Sequence, residues 1–168
     1  MMGKAFLLGD DIDTGQLAPG HLLKLGEDEL ATHCLETLRP DFASQAKPGD
    51  FVVAGKNFGQ GSSREQAAIS LKVLGISAIF ANSFARIFFR NAINIGLPVF
   101  ELEQTHSITE GDDLAFDLPT GRLENLSSGE KYQLQVLPDY LMQIVSAGGL
   151  VPLLEREMAR RQDALIGQ

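Results

Sequence analysis

Cys34 is the one cysteine among 168 residues. No disulfide framework is possible, and there are too few thiolates for a cysteine-ligated zinc or iron–sulfur centre within the chain. Positive charge is also scarce: 14 Lys and Arg stand against 22 Asp and Glu, a formal net charge of −8. A general nucleic-acid binder needs a basic footprint, so that class drops out. No apolar run approaches the roughly 18 residues of a membrane-spanning helix. The apolar start at residues 4–8 is short and meets Asp10-Asp11 at once, so it reads as a first strand rather than a signal peptide, and the cytoplasm is the expected compartment. The three histidines, His21, His33 and His106, share no metal-ligand spacing, and no metal is expected in this chain.

What remains is an ordinary globular composition, 44% hydrophobic and 21% charged, long enough to bury a core and expected to form one domain over residues 1–168. Residues 10–26 carry Gly15, Pro19, Gly20 and Gly26, too many breakers for a regular element, and read as a long functional loop. Helical spacing is expected over 27–38. Residues 51–102 alternate: an apolar strand at 51–54, a glycine-rich loop, a helix over 62–74, a strand at 76–81, a helix over 84–95 and a strand at 97–102. That order favours parallel strands with crossover helices. Residues 114–118, 122–126 and 132–136, separated by Pro119-Thr120-Gly121 and Ser127-Ser128-Gly129, read as antiparallel hairpins. Helices follow over 138–147 and, strongly charged, over about 152–163. The fold class is α/β.

The strongest local signal is Gly59-Gln60-Gly61-Ser62-Ser63-Arg64-Glu65, between a strand and a helix. Ser62 is an N-cap type and Glu65 follows at capping-box spacing. Two readings stand: a plain helix cap, or an anion site. In the second, loop N–H groups, the helix dipole and the forked Arg64 guanidinium hold a carboxylate. The Lys-Ser/Thr ending of a phosphate-binding loop is missing, and Arg64 stands where a dinucleotide fingerprint has its third glycine. Asp10, Asp11 and Asp13 suit a turn held by Asp side chains; the alternative, a divalent cation site, lacks the twelve-residue loop and closing Glu of a calcium hand. Arg86, Arg90 and Asn94 recur at helical steps and read as a solvated stripe, or else Arg86 braces the glycine loop. His21, ahead of Leu22-Leu23-Lys24, is the histidine placed for function.

Gly55-Lys56-Asn57-Phe58-Gly59-Gln60-Gly61-Ser62-Ser63-Arg64-Glu65-Gln66-Ala67 resembles a signature of the aconitase swivel domain. The stretch Ser83-Phe84-Ala85-Arg86-Ile87-Phe88-Phe89-Arg90-Asn91-Ala92-Ile93-Asn94-Ile95-Gly96-Leu97-Pro98 resembles its second signature, Asp11-Ile12-Asp13-Thr14 its opening, and 146–152 its ending. The motifs occur in order over nearly the whole chain, and chains of this length resemble the separate small subunits of isopropylmalate dehydratase and its relatives. The resemblance implies a swivelling β/β/α domain that acts with a large subunit carrying a four-iron four-sulfur cluster, with no cofactor in this chain. The implied reaction is reversible dehydration of a 2-hydroxy dicarboxylate, foremost the isomerisation of 3-isopropylmalate and 2-isopropylmalate in leucine biosynthesis.

Carried over position by position, the resemblance implies that Ser62 is the catalytic base and that Ser63 and Arg64 hold a substrate carboxylate. His21, Leu22, Leu23 and Lys24 fall in its substrate-selecting loop, and Asp13, Thr14, Gly59, Gly61 and Arg86 support the site. The chain departs from the family at three positions. Gly15 stands where Asp is usual, Gln60 where Cys or Glu is frequent, and Gln66 where His is nearly constant. Other acids of the same chemistry (homoaconitate, citramalate or a dimethylmalate) stay open, as does a non-catalytic, anion-binding regulatory module.

Overall fold

A computed structural model describes residues 1–166. Four strands run parallel: β1 (Met2–Leu7), β2 (Phe51–Ala54), β3 (Ala78–Ala81) and β4 (Val99–Glu101). On the free edge of β1, three antiparallel strands extend the sheet: β5 (Asp113–Asp117), β6 (Arg122–Asn125) and β7 (Lys131–Gln133). The result is one seven-stranded mixed sheet in the order β4-β3-β2-β1-β5-β6-β7.

Burial explains the two halves. β2 and β3 read Phe-Val-Val-Ala and Ala-Ile-Phe-Ala and are buried at every residue, as parallel strands covered on both faces must be. β5 and β6 alternate buried and open positions, the period of a sheet with one wet face. The β1–β2 connection carries three short helices, α1 (Thr14–Leu17), α2 (Glu27–Ala31) and α3 (Phe42–Gln45). The crossovers are α4 (Gln66–Val73) after β2 and α5 (Arg86–Asn94) after β3. Two helices follow the antiparallel strands, α6 (Asp139–Ala147) and α7 (Leu150–Ile166). No helix among the described residues is long and apolar enough to cross a membrane.

Phenylalanines fill the core. Phe80 meets Phe116 edge-on at 5.1 Å and Phe51 at a tilt at 5.6 Å, and Phe100 meets Phe116 edge-on at 4.9 Å. A second aromatic cluster, Phe58 with Phe88 at 5.1 Å and Phe84 at 6.0 Å, joins the glycine loop to α5. The edge-on pairs among these suit the aromatic quadrupole.

Several boundaries differ from expectation. The helix expected over 27–38 stops at Ala31. Leu35 sits at φ 61 and gives its N–H to the Gln16 carbonyl at 2.8 Å, so a tertiary bond replaces the next helical turn. The helix expected from 62 begins at Gln66. Residues 10–26, expected to hold no regular element, form α1 and a 3₁₀ turn at Gly20–Leu22. The terminal helix starts at Leu150 rather than near 152.

Candidate active site

Ligand sites of parallel sheets lie beyond the carboxyl ends of the strands, and there the loops after β1, β2 and β3 converge. Backbone bonds join them. Asp11 N–H donates to Lys56 O (2.8 Å), Gly59 N–H to Ile12 O (2.7 Å) and Thr14 N–H to Gln60 O (2.8 Å). Phe58 N–H donates to Ser83 O (3.0 Å), and Ala85 N–H to Phe58 O (2.9 Å). Each carboxylate of the Asp10–Asp13 run has a backbone or side-chain donor. Asp10 Oδ1 accepts from Lys56 N–H at 2.7 Å, and Asp11 Oδ1 from Asn57 Nδ2 at 2.8 Å. Asp11 and Asn57 both occupy left-handed backbone, φ 58 each, a region that Asp and Asn tolerate better than most residues. The turn reading therefore describes this run.

Asp13 caps α1. Its Oδ1 accepts from Gly15 N–H (2.6 Å) and Gln16 N–H (2.9 Å), and Asp13 N–H in turn donates to Gln16 Oε1 (2.9 Å). This is a complete capping box. The pattern expected at Ser62 and Glu65 is not in use: Glu65 is the N-cap of α4 and makes no side-chain cap bond. The reason is local. Gly59 (φ +78) and Gly61 (φ +101) swing the chain through left-handed turns, and Arg64 N–H closes a tight turn onto Ser62 O at 2.8 Å. Ser62 is thereby lifted off the helix into the mouth between the loops. Gly59 also admits Phe88: a Cβ there would lie 2.1 Å from the ring's Cγ.

Two side chains of the glycine loop face α1. Ser62 Oγ lies 3.2 Å from Thr14 Oγ1, and Arg64 Nη1 donates to Ala18 O at 3.1 Å. The Arg64 guanidinium lies across two bare glycines; a Cβ on Gly15 would be 3.3 Å from Nη1, and one on Gly20 would be 3.0 Å from Nη2. Among the described residues Arg64 has no carboxylate within 4.0 Å, so most of its five N–H donors are free for an anion. Ser62 and Ser63 are exposed, and Arg64 is half-buried. The arrangement is an open face bearing two hydroxyls and a forked cation, suited to grip a carboxylate from one side.

The remaining candidates are placed as follows. His21 and Lys24 are exposed beside the Gly20–Leu22 turn, while Leu22 and Leu23 are half-buried and pack partly on the core. Arg86 opens α5 close to Phe58, but its side chain is exposed and forms no hydrogen bond to the glycine loop among the described residues. The loop is braced by Phe88 instead, which the apolar spacing of α5 made legible only as core. Sequence reasoning also missed the Ala18 carbonyl, since a backbone acceptor leaves no residue-type signal.

Away from the loops, burial pushes the Cys34 thiol far above its ordinary range, which leaves it inert. Burial also works to raise the Glu110 carboxyl. The hydrogen bonds from Arg39 (2.7 Å) and Leu7 N–H (2.6 Å), with the guanidinium charge, outweigh it and hold the group below its usual value. No three His, Cys, Asp or Glu among the described residues are grouped to hold a metal ion.

Residues 28–105 match the model of the aconitase C-terminal domain family. A 3-isopropylmalate dehydratase small subunit of Archaeoglobus fulgidus is 54% identical over 89% of this chain and 94% of its own length. A methanogen homoaconitase small subunit of Methanothermobacter thermautotrophicus is 49% identical over 89% of this chain and 87% of its own. The crystal structure of a 3-isopropylmalate dehydratase from Methanocaldococcus jannaschii superposes with a TM-score of 0.92 at 39% identity, over 97% of this chain and 98% of that one.

Proposed function

The chain belongs to the family of 3-isopropylmalate dehydratase small subunits, and on that premise we propose that its converged loops form the base-bearing half of a hydro-lyase site. The enzyme interconverts 2- and 3-isopropylmalate. Ser62 Oγ, as an alkoxide, takes the proton from the carbon beside a substrate carboxylate. The C–H electron pair becomes the double bond as hydroxide leaves the neighbouring carbon. Water then returns with proton and hydroxide on exchanged carbons. Ser63 and Arg64 hold a carboxylate, and a planar fork suits that task better than an ammonium. His21, Leu22, Leu23 and Lys24 border the part of the substrate that differs between acids.

The observation that carries the reading is Ser62 standing on an open face beside an Arg64 without a carboxylate partner among the described residues. The face needs a second wall, and the large subunit supplies it together with the four-iron four-sulfur cluster. Such a cluster takes several thiolates, and the single cysteine of this chain, Cys34, is buried in the core. With a net charge of −8 the chain as a whole repels a dianion, so the local donors dominate binding. We place the assembled enzyme in the cytoplasm.

The test is co-expression with the large subunit of the same source, anaerobic purification, and assay of unsaturated-acid formation across isopropylmalate, citramalate, homoaconitate and dimethylmalate. The expected result is preferred turnover of isopropylmalate, lost in Ser62→Ala while the complex still assembles. Preferred turnover of another acid would reassign the substrate. A stable complex that turns over none of them would overturn the catalytic reading in favour of an anion-binding module.

A further inference from the structure

We propose that Thr14 is a positioning residue for Ser62: its buried hydroxyl donates to Ser62 Oγ, aims that oxygen outward and stabilises it when it carries negative charge. This rests on the reading of Ser62 as the base. Thr14 is only 2% exposed, and Ser62 Oγ, at 3.2 Å, is the one hydrogen-bond partner of its hydroxyl among the described residues. A buried hydroxyl leaves its proton unused only at a cost. Once Ser62 is an alkoxide it can only accept, so the proton direction is settled as Thr14 to Ser62.

The hydroxyl is held in place from three sides. Thr14 N–H is tied to Gln60 O at 2.8 Å. The capping box of Asp13 and Gln16 fixes the turn that Thr14 opens. Gly61, at φ +101, passes so close that a Cβ there would lie 3.2 Å from Thr14 Oγ1. Two charged side chains flank the pair. Asp13 directs its carboxylate to the N–H groups of Gly15 and Gln16, and Arg64 directs its guanidinium to Ala18 O. Thr14 is thus a neutral donor set between a committed anion and a cation reserved for substrate. Preorganised donors of this kind act where charge develops, with little reorganisation during the reaction.

The experiment compares Thr14→Val, Thr14→Ser and Thr14→Ala in the complex with the large subunit, alongside Ser62→Ala. Val keeps the shape and removes the donor; Ser keeps the donor and removes the methyl. Thr14→Val is expected to lower kcat on the order of 10- to 100-fold, the range for losing a hydrogen bond to a charged group. KM stays within about threefold, and the acidic limb of the kcat profile moves to higher pH because the alkoxide is harder to form. Thr14→Ser recovers most of the loss. If Val prevents assembly, the Ser and Ala variants carry the same comparison. Val within twofold of wild type, or Val and Ser equally impaired, overturns the proposal and leaves Thr14 a packing residue. Ser62→Ala that retains turnover instead overturns the base assignment, a separate failure.

Discussion

Replacing Gly59 with Ala strikes the point where the glycine loop, α5 and the aromatic cluster meet. The residue sits at φ +78, and an L-residue there costs about 1–2 kcal/mol. The added Cβ would lie 2.1 Å from Phe88 Cγ and 2.3 Å from its Cβ, well inside the roughly 3.5 Å of a carbon–carbon contact. Phe88 has no free direction to move, since it is 1% exposed and meets Phe58 at 5.1 Å. Overpacking of this kind adds about 1–3 kcal/mol. The expected loss is therefore about 2–5 kcal/mol, or a midpoint lower by roughly 5–20 °C for a chain of this length. Urea and thermal unfolding followed by circular dichroism would measure it. Gly9→Ala is the control: its Cβ would meet nothing within 4 Å, and its stability should match wild type within about 0.5 kcal/mol. A Gly59→Ala loss below about 1 kcal/mol, or one equal to that of Gly9→Ala, would refute the packing argument.

Two further predictions separate binding from stability. Gly20→Ala places a Cβ 3.0 Å from Arg64 Nη2, the movable end of a long side chain, on a backbone outside the left-handed region. Stability should hold within about 0.5 kcal/mol, while steady-state assay of the complex should show KM rising roughly 3- to 30-fold from a displaced guanidinium; an unchanged KM would deny Arg64 its grip. Glu110 concerns acid stability. Its folded pKa lies below the ordinary value, so its contribution is complete above the unfolded value near about pH 4.3 and fades as pH falls through the folded one. At 44% side-chain exposure the gain is screened to about 1 kcal/mol or less. Urea unfolding should find wild type more stable than Glu110→Gln at pH 6, with the gap closing by pH 3; a gap that widens towards acid would contradict the sign.

Runs with one dominant signal were legible in the sequence. The four apolar residues of β2 and the spacing of α5 led to elements near their observed places, because burial on both faces of a parallel strand leaves an unmistakable pattern. Where two local patterns competed, tertiary bonds chose between them. Ser62 and Glu65 have the spacing of a capping box, yet the working box is Asp13 with Gln16, inside the segment that its glycines marked as loop. Leu35 fits a helix by apolar spacing but turns left-handed to reach Gln16 O. Ser62, Ser63 and Arg64 were legible in the sequence as the candidates of the glycine loop. The geometry around these candidates was not legible, because it depends on contacts between residues distant in the chain: Thr14 with Ser62, Ala18 O with Arg64, and Gly59 with Phe88.

The charge balance and the bare glycine beside Arg64 bear on one another. Gly15 leaves the flank of Arg64 bare: a Cβ there would lie 3.3 Å from Nη1 and 3.0 Å from Asp13 Oδ1. On a chain of net charge −8, a guanidinium with no carboxylate within 4.0 Å among the described residues is a strong local attractor for an anion. Glycine at position 15 thus leaves the cation more available.

The claim that Ser62 abstracts the substrate proton is tested most directly by isotope exchange. The anaerobic complex with the large subunit is incubated with isopropylmalate in deuterium oxide, and deuterium entering the carbon-bound position is followed by NMR. Wild type should exchange at that carbon, and Ser62→Ala, still assembled with its partner, should not. Undiminished exchange in Ser62→Ala would contradict the assignment of the base to this chain.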